Sequence, residues 1–180
     1  MPDLLIRDQP LPGVYVLANS HILDHRGEFT KLFHADALGR QGIDFTPAES
    51  FLSRSKSGVL RGMHFQVGDA AHDKIVTCIK GRVLDVVVDI RSQSPHFNQP
   101  FALELSEKSN TSLLIGKGYA HGFYTLDDDS WMLYSTTTIH CAALDRGVLW
   151  SSIDFDWPSD HPVLSVRDAR HPSIHSLIPA

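Results

Sequence analysis

Arg82-Val83-Leu84-Asp85-Val86-Val87-Val88-Asp89-Ile90-Arg91 is the run whose reading decides the fold class. Side chains of a strand alternate between two faces, so Leu84, Val86, Val88 and Ile90 point one way and Val83, Asp85, Val87 and Asp89 the other. One face is wholly apolar, while the other sets two carboxylates among valines. That contrast predicts an all-β barrel or sandwich whose interior is a polar-lined pocket. Asp85 lies mid-strand, where a charge needs a partner, and a histidine would serve. Asp89 and Arg91 read as a solvated strand end.

On either side of this run, short β-branched and aromatic stretches alternate with Gly, Pro, Asn and Asp clusters, the pattern of an all-β jelly roll, sandwich or barrel. Strands are expected over 13–18, 28–33, 59–66, 75–79, 82–90, 101–105, 112–115 and 132–138, with one helical turn over 35–41. Lys80-Gly81-Arg82 is a tight-turn signal that predicts a hairpin, and Ser94-Pro95 ends its second strand. The stretch 157–180, with Pro158, Pro162, Pro172 and Pro179, should wrap over the β core as loops or one short helix.

A chain of 180 residues is most simply a single domain over 1–180, and 42% hydrophobic with 21% charged residues is ordinary for a globular protein. A net charge of −5 with no basic run argues against nucleic acid as a partner. Met1 to Arg7 lacks the apolar core of a signal peptide, and no run reaches the roughly 18 apolar residues of a membrane span. The expected location is therefore cytoplasmic, with no membrane partner. Cys78 and Cys141 form neither a CxxC nor a disulfide scaffold and read as buried thiols.

Three segments carry candidate chemistry. Val59-Leu60-Arg61-Gly62-Met63-His64-Phe65-Gln66 places a guanidinium, an imidazole and an amide in one β-prone run, followed by Lys74. An imidazole takes a proton from a carbon acid only if something cationic or hydrogen-bonding holds the charge that develops, and Arg61 and Lys74 are suited to that. In Gly116-Lys117-Gly118-Tyr119-Ala120-His121-Gly122-Phe123, glycines allow backbone or ligand to approach an imidazole closely, although a plain turn would look the same. Tyr134 by itself reads as a strand aromatic, and Asp168 by itself as a loop charge.

Together these segments resemble the dTDP-4-dehydrorhamnose 3,5-epimerases, cupin-type jelly rolls with a few short peripheral helices. The resemblance runs from about Val14 to Asp168 and rests on many short motifs in order. They are Asp24-His25-Arg26-Gly27-Glu28-Phe29, the Val59 to Gln66 run, Lys74, Gly81 through Arg91 and Ser94-Pro95, then Ala120-His121-Gly122-Phe123, Gly147-Val148-Leu149-Trp150, Trp157-Pro158 and Leu164-Ser165-x-x-Asp168. The resemblance implies a cofactor-independent, metal-free isomerase acting on a nucleotide-diphosphate 4-keto-6-deoxy sugar. It makes His64 the base, Asp168 its partner, Lys74 the stabiliser of the enolate and Tyr134 the acid on the opposite face of the sugar. It adds Arg61, His121, Gln66 and Phe29 to the substrate pocket, and the mid-strand Asp85 is our candidate for orienting His121. Arg26 is implied to meet the diphosphate, often across the interface of a homodimer formed by exchange of an N-terminal strand.

The chain departs from the family pattern on the ligand side. Glu49-Ser50-Phe51 stands where the best-known members carry Gln-x-Asn, and Lys31 stands where they often have Glu near the nucleotide base. These positions leave dTDP, CDP and GDP open as the carrier. Ile139-His140 replaces the second aromatic of a Tyr-Tyr pair, and Ile115-Gly116 replaces Ile-Pro. His140 leaves inversion at C3, C5 or both open. Three rival readings share the fold: a 3,4-keto-isomerase, a metal-dependent cupin enzyme and a non-catalytic sugar-nucleotide binding module. A metal-dependent cupin needs a facial set such as His-x-His with a carboxylate, whereas His64 is followed by Phe65-Gln66 and His72, His121 and His140 are scattered.

Overall fold

The computed structural model describes residues 4–177. Its strands are β1 (Leu5–Leu11), β2 (Val14–Ala18), β3 (Ser20–Asp24), β4 (Gly27–Lys31), β5 (Glu49–Ser55), β6 (Leu60–Gln66), β7 (Lys74–Lys80), β8 (Arg82–Asp89), β9 (Pro100–Ser106), β10 (Thr111–Ile115), β11 (Tyr119–Thr125), β12 (Ser130–Thr136) and β13 (Asp145–Gly147). A short helix, α1 (Ala35–Gly39), follows β4, as the sequence suggests. One sheet runs β1-β2-β10-β7-β12-β5, a second runs β13-β6-β11-β8-β9, and β3 with β4 forms a separate hairpin. This is the all-β jelly-roll sandwich expected, with short helices at its periphery.

The strand 82–89 behaves as its pattern predicts. Val83 and Val87 pack between the sheets with Val76 of β7, Leu113 of β10, Phe123 of β11 and Met132 of β12. Val86 and Val88 face the other way, onto Met63, Val148, Ile153 and Ile174. Burying each such side chain contributes about 1.5–3 kcal/mol, so β8 is anchored on both faces. The C-terminal stretch supplies the outer cover, through short 3-10 turns at Trp150–Ser152, Asp168–Arg170 and Ile174–Leu177. Residues 178–180 of the expected wrap, with Pro179, and Met1 to Asp3 of the N-terminal reading lie outside the described residues.

Four readings need correction. Lys80-Gly81-Arg82 does not close a hairpin, because β7 and β8 belong to different sheets. Gly81, at φ +73°, turns the chain from one wall of the sandwich to the other. Asp89 is fully buried rather than solvated, and it accepts hydrogen bonds from Arg91 Nε (2.9 Å) and Ser94 Oγ (2.7 Å). Burial pushes its carboxyl up, but those bonds outweigh burial and hold it below the usual range. The segment around Gly118 and Gly122 is β11, paired to β6 on one side and β8 on the other. Cys141 is only half-buried, while Cys78 is buried as expected. Among the described residues no helix is long and apolar enough to cross a membrane.

Candidate active site

A cleft of about 300 Å³ opens between the sheets, at the lower end of the range for small-molecule sites. Register delivers its chemistry. β11 pairs antiparallel with β6 so that His121 stands directly opposite His64. On the other sheet β12 lies between β7 and β5, and Tyr134 stands opposite Phe51 of β5. Lys74 begins β7 on that same sheet. The cleft therefore has two imidazoles on one wall and a phenol and an ammonium on the other.

Close approach of β6 and β11 depends on two glycines. A Cβ on Gly122 would lie 2.7 Å from Arg61 O, and one on Gly62 would lie 2.6 Å from Gly122 Cα. The close approach read from the sequence is thus between backbones, and it fixes the spacing of the two histidines.

Each histidine is held from behind by a buried aspartate. His64 Nε2 lies 2.7 Å from Asp168 Oδ1, and His121 Nε2 lies 3.0 and 2.9 Å from the two oxygens of Asp85. A carboxylate accepts only, so we assign the proton on each ring to Nε2 and the free lone pair of His64 to Nδ1, the nitrogen left for the cleft. Asp168 reaches His64 from a 3-10 turn whose first amide donates to Ser165 Oγ at 3.0 Å, which gives the Leu164-Ser165-x-x-Asp168 motif its local reason. Burial raises the Asp168 carboxyl, but the bonds from His64 and the Gly62 amide prevail and keep it ionised below the usual range.

The opposite wall is dry. Tyr134 is 8% exposed, and burial pushes its phenol well above the ordinary range, against a weak contact with Ser53 Oγ at 3.4 Å. The phenol therefore carries its proton at any physiological pH. Phe51 stacks on the Tyr134 ring with centroids 4.7 Å apart. Burial lowers the Lys74 ammonium to about 8, with Asp85 and Asp145 opposing the shift. A cation of that kind, stripped of water, interacts strongly with charge that develops beside it.

The remaining sequence candidates divide. Arg61 lines the cleft and is steadied by Ser55 Oγ (2.9 Å) and Arg54 O (3.1 Å). Glu49 and His140 sit at the mouth, joined where the His140 amide donates to Glu49 Oε2 at 2.6 Å. Gln66 also lines the cleft, but its amide is engaged: Oε1 accepts from the Cys141 amide at 2.7 Å, and Nε2 donates to Ala70 O at 3.2 Å. Its hydrogen bonds pin loops rather than await a ligand. Asp85 lies behind His121, away from the cleft surface. Arg26, Phe29 and Lys31 do not meet the cleft within one chain. They belong to the separate β3–β4 hairpin, where Arg26 is exposed and paired with Asp24 at 2.6 Å.

Sequence reasoning missed Arg167 and His171 and weighed His72 only as a scattered metal ligand. Arg167 sits at the mouth, 2.8 Å from Asp145 Oδ2, one position before Asp168, where nothing in the local pattern marks it. His72 lines the cleft, and burial first, then the Lys74 charge, lowers its imidazole to about 4, so it stays neutral. His171 lies beside the dyad, with ring centroids 5.5 Å from His64. Ser53 lines the cleft as well, on an edge strand whose pattern marks no site.

A jelly roll that sets an imidazole–carboxylate dyad on one sheet against a protonated phenol and a buried lysine on the other is built to move a proton between two faces of one substrate. That defines the class as an epimerase. The chain belongs to the dTDP-4-dehydrorhamnose 3,5-epimerase family, whose model matches residues 8–176. The Shigella flexneri dTDP-4-dehydrorhamnose 3,5-epimerase is 37% identical over 164 residues, 88% of this chain and 89% of that protein. The Salmonella typhimurium enzyme of the same name is 36% identical over 179 residues, 97% of this chain and 98% of its own length. Among solved structures, the dTDP-6-deoxy-D-glucose-3,5-epimerase of Legionella pneumophila, in complex with dTDP-4-keto-L-rhamnose, superposes with a TM-score of 0.91 at 30% identity. The match covers 98% of this chain and 97% of that one. The fold is thus the cupin-type β fold of these enzymes, and the chain is an isomerase.

Proposed function

We propose that the chain inverts C3, C5 or both of a nucleotide-linked 4-keto-6-deoxy sugar by passing protons between the two sheets. The sugar ring lies in the cleft with its C4 ketone oxygen toward Lys74. Nδ1 of His64 removes a hydrogen from the carbon next to the ketone, and the electron pair moves to oxygen as an enolate. Asp168 stabilises the imidazolium that forms, and Lys74 stabilises the enolate oxygen. Tyr134 returns a proton to the same carbon from the opposite face, so the configuration inverts. The observation that carries the reading is the placement of His64 on β6 and Tyr134 on β12, in facing sheets.

His121, held by Asp85, and Arg61 line the ring site, while Glu49, His140 and Arg167 stand where a nucleotide would leave it. The ligand of the Legionella pneumophila protein favours dTDP as carrier. CDP and GDP are the alternatives that Lys31, Glu49 and Phe51 keep open. We further read residues 1–180 as one cupin-like domain that works as a cytoplasmic homodimer. Free Cys78 and Cys141 suit a reducing compartment. The β3–β4 hairpin exposes Leu23 (73%) and Phe29 (54%) beside Arg26, surface suited to a second copy whose cleft Arg26 would reach.

Proton NMR in deuterium oxide with dTDP-, CDP- and GDP-linked 4-keto-6-deoxy sugars tests the reading. Loss of the C3 or C5 proton signal, with appearance of an inverted product, is expected for one carrier. A product with its carbonyl moved to C3 would instead identify a keto-isomerase.

A further inference from the structure

We propose that His64, Asp168 and His171 form a binding site for a divalent transition metal such as zinc, and that occupancy switches the epimerase off. The site rests on geometry alone; its inhibitory effect rests on the assignment of His64 as base.

One ligand atom from each of the three residues lies within 4.8 Å of the others. Bonds from zinc to nitrogen and oxygen are about 2.0–2.2 Å, so a small rotation of the rings brings all three around one ion, with a fourth position left for water. Two imidazoles and a carboxylate suit zinc, cobalt or nickel and are poor for magnesium or calcium.

His171 supplies the second observation. Its side chain is 10% exposed, and its Nε2 has no hydrogen-bond partner although buried. Asp168 Oδ1 stands 3.6 Å away, too far for a hydrogen bond. A buried, unpartnered imidazole nitrogen beside a carboxylate is an arrangement that a cation between them would satisfy. The backbone admits it by design of β13: Gly147 pairs opposite His64, and a Cβ there would collide with the His171 ring. Glycine at this position leaves the ring room to reach the dyad.

Occupancy would stop catalysis through the tautomer of His64. Metal takes the Nε2 lone pair, Asp168 turns from the ring to the ion, and the one ring proton moves from Nε2 to Nδ1. The cleft-facing nitrogen then carries a hydrogen and has no lone pair to accept the substrate's proton. No proton is gained or lost by the ring in this change.

The test uses the full-length protein freed of metal by chelation. Equilibrium dialysis against zinc should give one ion per chain, with affinity at least about tenfold weaker in His171→Leu and His171→Ala. Solvent deuterium exchange into substrate by the wild type should fall in step with zinc occupancy and return on adding EDTA. Each His171 variant, referred to its own metal-free rate, should need at least about tenfold more zinc for the same inhibition. Absence of stoichiometric zinc, or equal affinity in wild type and both variants, overturns the site. Zinc bound through His171 with no effect on exchange overturns the switch. Failure of the base assignment reads out separately, as exchange retained by metal-free His64→Ala.

Discussion

Lys74 shows how one side chain trades stability for chemistry. The residue is 8% exposed, and burial lowers its ammonium to about 8 from 10.5, a penalty on the order of 3 kcal/mol in the charged form. The folded chain holds this proton less tightly than the unfolded chain, so the penalty is full below pH 8 and fades between about 8 and 10.5. Lys74→Met should therefore raise the melting temperature at pH 7 while lowering turnover by roughly 10²–10³, the usual effect of losing a preorganised donor. In the wild type, turnover should fall as pH rises through about 8, because the neutral amine no longer stabilises the enolate. Asp168→Asn should lower turnover by roughly 10²–10⁴ with the fold intact, since an amide cannot stabilise the imidazolium. Circular dichroism and steady-state rates across pH check these outcomes together. At this scale the sequence was informative where a motif surrounded the residue, as for His64 and Asp168. It was silent for His171 and Arg167, which reach the site through the path of the irregular C-terminal chain and carry no local signature.

Among the elements, uninterrupted apolar and β-branched runs such as β7, β8 and β10 were the legible ones. β8 announced itself by seven successive apolar or carboxylate positions, 83–89, and its two faces meet the partners that a period of two requires. β1 and β5 were missed because both are edge strands with polar, largely exposed sequences, and β1 contains Pro10, which an edge tolerates. β11 was obscured by Gly118 just before it and Gly122 within it, residues that signal turns in general, whereas Gly122 here permits two strands to approach. The Gly81 turn was recognised as a turn and misassigned as a hairpin, because no local pattern says which sheet the next strand joins. Gly122→Ala should separate β6 from β11, lower stability by about 1–3 kcal/mol and raise KM by displacing both histidines. Urea unfolding with parallel kinetics measures both effects. Unchanged kinetics in that variant would mean that the register of β6 and β11 does not set the site.

The whole molecule explains why a jelly roll suits this reaction. Two facing sheets give a ring-shaped substrate two chemically different walls, a base with its carboxylate on one and an acid with a cation on the other. The hairpin formed by β3 and β4 stands apart from both sheets with large apolar side chains exposed, so assembly is the scale at which Arg26, Phe29 and Lys31 gain a role. Sedimentation should give a dimer at micromolar concentration, and Phe29→Asp should shift it toward monomer with a higher KM. A stable monomer in the wild type would contradict that role. The most direct test of the central claim is proton NMR of the substrate sugar in deuterium oxide with wild type, His64→Ala and Tyr134→Phe. The two-wall mechanism predicts exchange with inversion in the wild type, no exchange in His64→Ala, and exchange without efficient inversion in Tyr134→Phe. Normal exchange and inversion by His64→Ala would contradict it.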